Sequence, residues 1–449
     1  MSNFLQRSRP VAPVRMVHLG LGNFYRAHQA WYTNRASDAA DWGYAAFEGR
    51  GNSISPLLAA QDDVYTVAFA YPDGDQYELM ECISKTHTGR EFEAWVGYFA
   101  DPQVVIASTT ITEAGYLFAN DTVDTSNPQL AEDLRVLQAG GIDVVSAPAR
   151  LVAGLRARRA ADAGAMAVMS CDNLPHNGDV LRTVTLATAE LVDPSLAQWI
   201  NEHISFVTTM VDRITPKVTD EDVNRISTGI GAIDASPIVA EPFGEWVISG
   251  SFPGGHPDWA SAGVTFADDV APHERRKLWL LNGAHSLLAY VGLQRGHTFV
   301  HEAMHDAVCT DTITAWWQQT IPQLEGAAAD LHAYAEELRA RFENPRVSYQ
   351  LAQIGTDGSL KIPVRWVPGI KAIRAAGGIP TAACRGLAAY AWYVNGSDVR
   401  DARKEAVLAC ADGDLRVSVR NVIQLVAPEL LADAALLAAV DAEIAEFVA

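Results

Sequence analysis

The stretch VRMVHLGLGNFYRAHQAWY, Val14 to Tyr32, joins an apolar run to a Gly-x-Gly turn and then to a helix-forming segment. Val14 to Leu19 reads as a buried strand. Gly20 and Gly22 supply the tight turn after it, and Asn23 and Phe24 open the helix. In such a unit the helix N-terminus offers N–H groups to an anion, and the glycines let a pyrophosphate approach the backbone. Tyr25 stands where the usual third glycine would be, so the turn alone fits a dinucleotide site and a structural turn equally well.

The alternation continues outward from this unit. WGYAAFE, Trp42 to Glu48, reads as a second strand. It ends on an acid where a carboxylate commonly holds a ribose 2'-hydroxyl. Glu48 therefore points to NAD, whereas Arg50 would meet a 2'-phosphate, and NADP stays open. YTVAFAY and YELMECI flank Pro72-Asp73-Gly74-Asp75, a hairpin signal. Further strands are expected within 103–111, 165–171 and 205–214, and a helix around 151–161. This pattern indicates an α/β domain with a largely parallel sheet. After about Pro272 strand signals nearly vanish, and segments such as TITAWWQQTI, AADLHAYAEELRARF and TAACRGLAAYAWYV are helix-like. A boundary is expected near Ala271, giving domains over residues 1–270 and 271–449.

Composition narrows the partners. The 449 residues carry a formal net charge of -20, which argues against nucleic acid or an anionic membrane surface. No apolar run of about 18 residues is present, so no membrane span is expected. The N-terminal segment lacks the apolar core of a signal peptide. Cys82, Cys171, Cys309, Cys384 and Cys410 are scattered and form no C-x-x-C pair, which fits a reducing cytoplasm better than a disulfide framework.

His301-Glu302-Ala303-Met304-His305 spells H-E-x-x-H, which on a helix would place two imidazoles and a glutamate on one face. Glu325 stands at a spacing suited to a third ligand. A zinc hydrolase is accordingly the remote alternative. It would leave the α/β half without a purpose.

The segment Glu274 to Ser286, ERRKLWLLNGAHS, is the most informative for chemistry. It reads as a helix. At about 100° per residue, Lys277, Asn282 and His285 fall within an arc of roughly 140°. An amine, an amide and an imidazole can thus face one cavity. Oxidising an alcohol without metal needs a base for the hydroxyl proton. A lysine serves if its pKa falls from about 10.4 towards about 7–8. Burial and the neighbouring Arg275 and Arg276 push in that direction.

KLWLLNGAHS resembles the catalytic helix of the long-chain mannitol dehydrogenase family. HLGLGNFYRAHQAWY, TTITEAGY, MSCDNLPHNG, MVDRITP, VAEPFGEWVI and KIPVRW follow the family order from about Val14 to Gly396. The family includes mannitol and arabinitol dehydrogenases and the fructuronate and tagaturonate reductases. The resemblance implies a Rossmann-type N-terminal dinucleotide-binding domain, a mainly α-helical C-terminal substrate and catalytic domain, and no metal. It implies that Lys277 is the general base, and that Asn173 and Asn282 hold the reacting oxygen. His285 would contact substrate, and Arg365 and Asp212 would bind it. Glu113 would relay the proton from the base. Cofactor contacts are expected from Gly20, Gly22, Asn23, Phe24 and Glu48.

The expected activity is a metal-independent NAD(P) oxidoreductase interconverting a sugar alcohol and a ketose, with mannitol and fructose as the leading pair. A hexuronate reductase of the same fold is the alternative. A monomer or small homo-oligomer acting on a small polyol or ketose is expected.

Overall fold

The computed structural model describes residues 4–49, 53–119, 121–347, 349–396 and 398–448. Arg50, read above as a possible 2'-phosphate contact, lies outside the described residues. The chain divides into two compact units, Met1–Ala271 and Pro272–Ala449.

Among the described residues the first unit has 13 strands: β1 (Val14–Leu19), β2 (Gly43–Phe47), β3 (Tyr65–Tyr71), β4 (Gly74–Met80), β5 (Ile83–His87), β6 (Ile106–Thr109), β7 (Phe118–Ala119), β8 (Thr122–Val123), β9 (Met166–Ser170), β10 (Ile204–Asp212), β11 (Ile238–Ala240), β12 (Glu245–Ser249) and β13 (Thr265–Phe266). Eight of them form one sheet in the order β13-β12-β10-β9-β6-β1-β2-β5. From β10 through β5 all neighbours are parallel, and β12 pairs antiparallel with β10. The alternating residues show why this sheet is covered on both faces. Met16, Tyr44, Ala46, Ala167 and Met169 enter one apolar cluster, while Val17, Leu19, Ala45, Phe47, Met166 and Val168 enter another. The expected hairpin is β3–β4, and with β11 it forms a separate three-stranded sheet. The expected Rossmann-type α/β class is thus borne out, as is the change of texture towards helices in the second unit.

Gly20 has φ +118°, and a Cβ there would lie 2.3 Å from the Thr110 carbonyl oxygen, so only glycine fits this turn. The following helix is short, Asn23–Ala27. It breaks at His28 and resumes as Gln29–Arg35.

The second unit is helical among the described residues outside its connecting loops. One element differs from the sequence expectation. Ala271–Arg276 and Ala284–Gln294 are α-helical, but Lys277–Gly283 between them is a π-helix. The 100° periodicity therefore fails where Lys277 and Asn282 stand. In an i→i+5 repeat those two residues lie one turn apart on the same side.

Candidate active site

In the first unit the candidate residues gather at one edge of the main sheet. Gly20 and Gly22 follow β1, Glu48 follows β2, Glu113 lies four residues beyond β6, Asn173 three beyond β9, and Asp212 ends β10. All five strands run parallel, so these are all carboxyl ends, where open α/β sheets bind ligands. The chain crosses from the β2 side to the β6 side of β1, making β1/β6 the switch point.

The glycine turn fits a dinucleotide. A Cβ at Gly22 would meet only the Gly20 oxygen, at 3.7 Å, so the glycine leaves open space above the turn. First-turn N–H groups at Asn23 and Phe24 have no acceptor within their own helix. Glu48 is buried, and its carboxylate accepts from the N–H groups of Ser53 (3.1 Å), Ile54 (3.0 Å) and Ser55 (2.8 Å). It thereby caps the start of the helix Ser55–Ala59 while placing a negative charge at the end of β2.

Asn173 and Glu113 are held by a shared polar knot that the sequence reading missed. The Tyr116 hydroxyl bonds Ser170 Oγ and Asp172 Oδ2, and Ser170 Oγ donates to Asp172 Oδ2 at 2.7 Å. Burial raises the Asp172 carboxyl above the ordinary carboxylate range, against the pull of the Tyr116 and Ser170 hydroxyls and the Leu174 N–H. Asn177 Nδ2 donates to the Asp172 carbonyl (3.1 Å) and to the Thr209 carbonyl on β10 (2.8 Å). One network thus ties the turn carrying Glu113, the loop carrying Asn173 and the strand ending in Asp212. Its signal was present, since Tyr116 and Asp172 sit inside the TTITEAGY and MSCDNLPHNG segments. Asn173 and Glu113 are exposed, whereas Asp212 is buried.

In the second unit Lys277 and His285 are buried and Asn282 is half-buried. His285 packs its ring on Phe342 at 4.5 Å and lies 6.0 Å from the Tyr349 ring. Arg365 ends the helix Gly358–Arg365 and sends Nη1 to Ser286 Oγ at 3.0 Å and to the Asn282 carbonyl at 3.5 Å. Lys277, Asn282, His285 and Arg365 are therefore brought onto or against one helix. Arg275 pairs with Glu325 at 2.7 Å, and Arg276 stacks over the Tyr334 ring at 4.4 Å.

The H-E-x-x-H segment has a different geometry from the one its spacing suggests. The helix is only Val300–Ala303, and His305 lies beyond its end. Glu302 Oε2 accepts from the N–H groups of Thr298 (2.8 Å) and Phe299 (2.9 Å), a cap that occupies the carboxylate. Nearby, His297, Asp306 and Cys309 bring possible ligand atoms within 4.8 Å of one another. Asp306 there already accepts from Arg295, from His297 at 3.0 Å and from the Val308 N–H at 2.8 Å. Among the described residues no helix is long and apolar enough to cross a membrane.

Comparison with known proteins agrees with this architecture. Residues 14–261 match the mannitol dehydrogenase Rossmann domain and residues 269–418 the mannitol dehydrogenase C-terminal domain. The chain is 38% identical to an uncharacterized Escherichia coli oxidoreductase, YeiQ, over 86% of this chain and 80% of that one. It is 36% identical to Escherichia coli D-mannonate oxidoreductase, again over 86% and 80%. A Pseudomonas fluorescens mannitol 2-dehydrogenase, solved as a ternary complex with NAD and D-mannitol, superposes with a TM-score of 0.83 at 32% identity, covering 99% of this chain and 94% of that one. The chain belongs to the mannitol dehydrogenase family and is an oxidoreductase of its polyol and sugar-acid dehydrogenase class.

Proposed function

We propose that the protein oxidises a secondary alcohol of a hexitol to the ketose, reversibly, with mannitol and fructose as the leading pair. The observation that carries this reading is the placement of Lys277 and Asn282 one π-turn apart on a buried helix. NAD, when bound, supplies the hydride acceptor. Glu48 favours it over NADP through its charge: the buried carboxylate, taken up by the Ser53, Ile54 and Ser55 N–H groups, leaves a negative charge at the end of β2 that repels a 2'-phosphate.

Lys277 Nζ takes the hydroxyl proton as the C–H bond breaks. Asn173 and Asn282 donate amide N–H groups to the oxygen on which negative charge develops, without adding a titrating group. His285, fixed against Phe342, orients a neighbouring hydroxyl. Asp212 and Arg365 hold the rest of the substrate, and Glu113 passes the proton onward from Lys277. In ketose reduction each step reverses.

A sugar acid is the second reading. The resemblance to D-mannonate oxidoreductase and the presence of a guanidinium at Arg365 favour it. The test is Lys277→Ala, assayed by NADH absorbance on D-mannitol, D-arabinitol and D-mannonate. A general base contributes about 10²–10⁴-fold in rate, and a loss of that size is expected on whichever substrate turns over. Near-normal turnover in a folded variant removes Lys277 from the chemistry.

A further inference from the structure

The π-helix carrying Lys277 and Asn282 is met by three indoles. Trp316 Nε1 donates to the Trp279 carbonyl at 2.7 Å, Trp317 Nε1 to the Leu280 carbonyl at 2.9 Å, and Trp366 Nε1 to the Gly283 carbonyl at 3.0 Å. Trp316 and Trp317 come from the helix Ala307–Thr320, and Trp366 directly follows Arg365. All three side chains are buried.

Carbonyls inside a regular α-helix are each bonded to the N–H four residues on. Widening the turn to i→i+5 shifts that pairing. Where the wide and narrow turns meet, carbonyls lose their regular donor, and a side chain can insert into the ladder. A buried indole N–H in turn requires an acceptor. Each indole finds its acceptor on this segment, and each of these three carbonyls gains a donor from outside the helix.

The packing supports the same reading. A Cβ on Gly283 would lie 2.8 Å from Trp316 Nε1, one on Gly369 2.8 Å from Trp316 Cη2, and one on Gly386 3.0 Å from Trp366 Cη2. Glycines at these positions admit the indoles to the helix. In an α-helical register, Lys277 and Asn282 would diverge by roughly 140°, at about 100° per residue. The i→i+5 register stacks them.

We propose that Trp316, Trp317 and Trp366 are positioning residues whose indole N–H groups hold the π register and so align the Lys277 amine with the Asn282 amide. This rests on the reading of Lys277 as the base. Phenylalanine keeps the ring and removes the donor, so Trp316→Phe, Trp317→Phe and Trp366→Phe are the direct variants.

With NAD and the fastest of D-mannitol, D-arabinitol and D-mannonate, each folded variant should lose about 10- to 100-fold in kcat, as expected for a displaced catalytic group. KM should stay within about threefold. Trp259→Phe removes a comparable indole bond, 2.9 Å to Thr33 Oγ1 in the first unit, and should lower the melting temperature while leaving kcat unchanged. A crystal structure of Trp317→Phe should show residues 277–283 relaxing towards an α-helix. Unchanged kcat in the folded Phe variants, or a π-turn persisting intact in the crystal, overturns the proposal. Should the variants not fold, the wild-type protein still decides by hydrogen exchange. Slow indole N–H exchange at these three tryptophans supports the bonds, and fast exchange overturns them. Lys277→Ala, run alongside, separates the two readings. If it turns over normally the base assignment falls, and if it is dead while the Phe variants are fully active only the positioning role falls.

Discussion

His18 Nε2 lies 3.2 Å from the carbonyl oxygen of Gly20, the residue that makes the tight turn after β1. Facing a carbonyl, Nε2 must carry the proton. Nδ1 then accepts from the Ser108 hydroxyl at 2.8 Å. The ring is fully buried and stacked on Tyr25 at 3.6 Å. Burial pushes its pKa down from 6.5 to about 3, against the pull of the Gly20 bond.

This shift sets a stability prediction. Below pH 6.5 the unfolded chain binds a proton at His18 that the folded chain refuses until about pH 3. Stability from this group is therefore complete above pH 6.5 and falls as pH drops through that window. His18→Gln should flatten the acid dependence, so that wild type loses about 2 kcal/mol more than the variant between pH 7.5 and 5. Urea unfolding at the two pH values measures it, and identical slopes contradict the burial argument. Because His18 fixes the turn, the variant should also raise KM for NAD more than KM for the alcohol.

Asn173→Ala and Asn282→Ala should each lower kcat more than they raise KM. Charge on the substrate oxygen is greatest in the transition state, and removing one such donor costs on the order of 3–4 kcal/mol. Asp172→Asn is a useful companion. The Asp172 carboxylate bonds the Tyr116 and Ser170 hydroxyls and the Leu174 N–H and acts on the amide only by holding its loop, so the variant should produce a weaker loss of the same kind. Steady-state kinetics that show only a KM change would mean the amides merely hold substrate.

The alternation of apolar residues in VRMVHL, WGYAAF and AMAVMS made the parallel sheet legible, because burial on both faces leaves a continuous apolar run. The candidate site was legible as a list of residues and not as a geometry. Lys277 and Asn282 stand out in the sequence, yet nothing in KLWLLNG marks a π-helix, and the indoles that bond its carbonyls come from 37 and 83 positions away. The polar knot was hidden for a related reason. Tyr116 and Asp172 lie 56 positions apart and meet only once β6 and β9 pair. Glu48 reads as a cofactor contact from its place after β2, and its three backbone N–H partners, at Ser53, Ile54 and Ser55, become visible only in the structure.

Chelation should leave activity unchanged. Glu302 is occupied as a cap, the helix ends before His305, and Glu325 is paired with Arg275. His301→Ala should accordingly keep wild-type kcat. Loss of turnover after dialysis against EDTA, restored by zinc, would bring the hydrolase reading back.

Arg365 should report which substrate class the site takes. Its Nη1 is directed at Ser286 Oγ and the Asn282 carbonyl, so the guanidinium stays beside the helix that carries Lys277. With a hexitol, the hydrogen bonds it offers the substrate reach neutral hydroxyls, each worth about 0.5–1.5 kcal/mol net. Arg365→Ala should then raise KM by roughly 2- to 10-fold, in line with that energy. With a sugar acid, the fork would clamp a carboxylate through two parallel bonds about twice as strong, and the loss should approach 100-fold. Arg365→Lys keeps the charge without the fork, so it should rescue a hexitol substantially and a sugar acid only in part. The comparison is anchored by wild-type kcat/KM for D-mannitol and D-arabinitol against D-mannonate. A clear preference for the acid, together with the large Arg365→Ala loss, would overturn the choice of a hexitol. It would leave the role of Lys277 intact, because removing a proton from a secondary hydroxyl is the same task in both substrates.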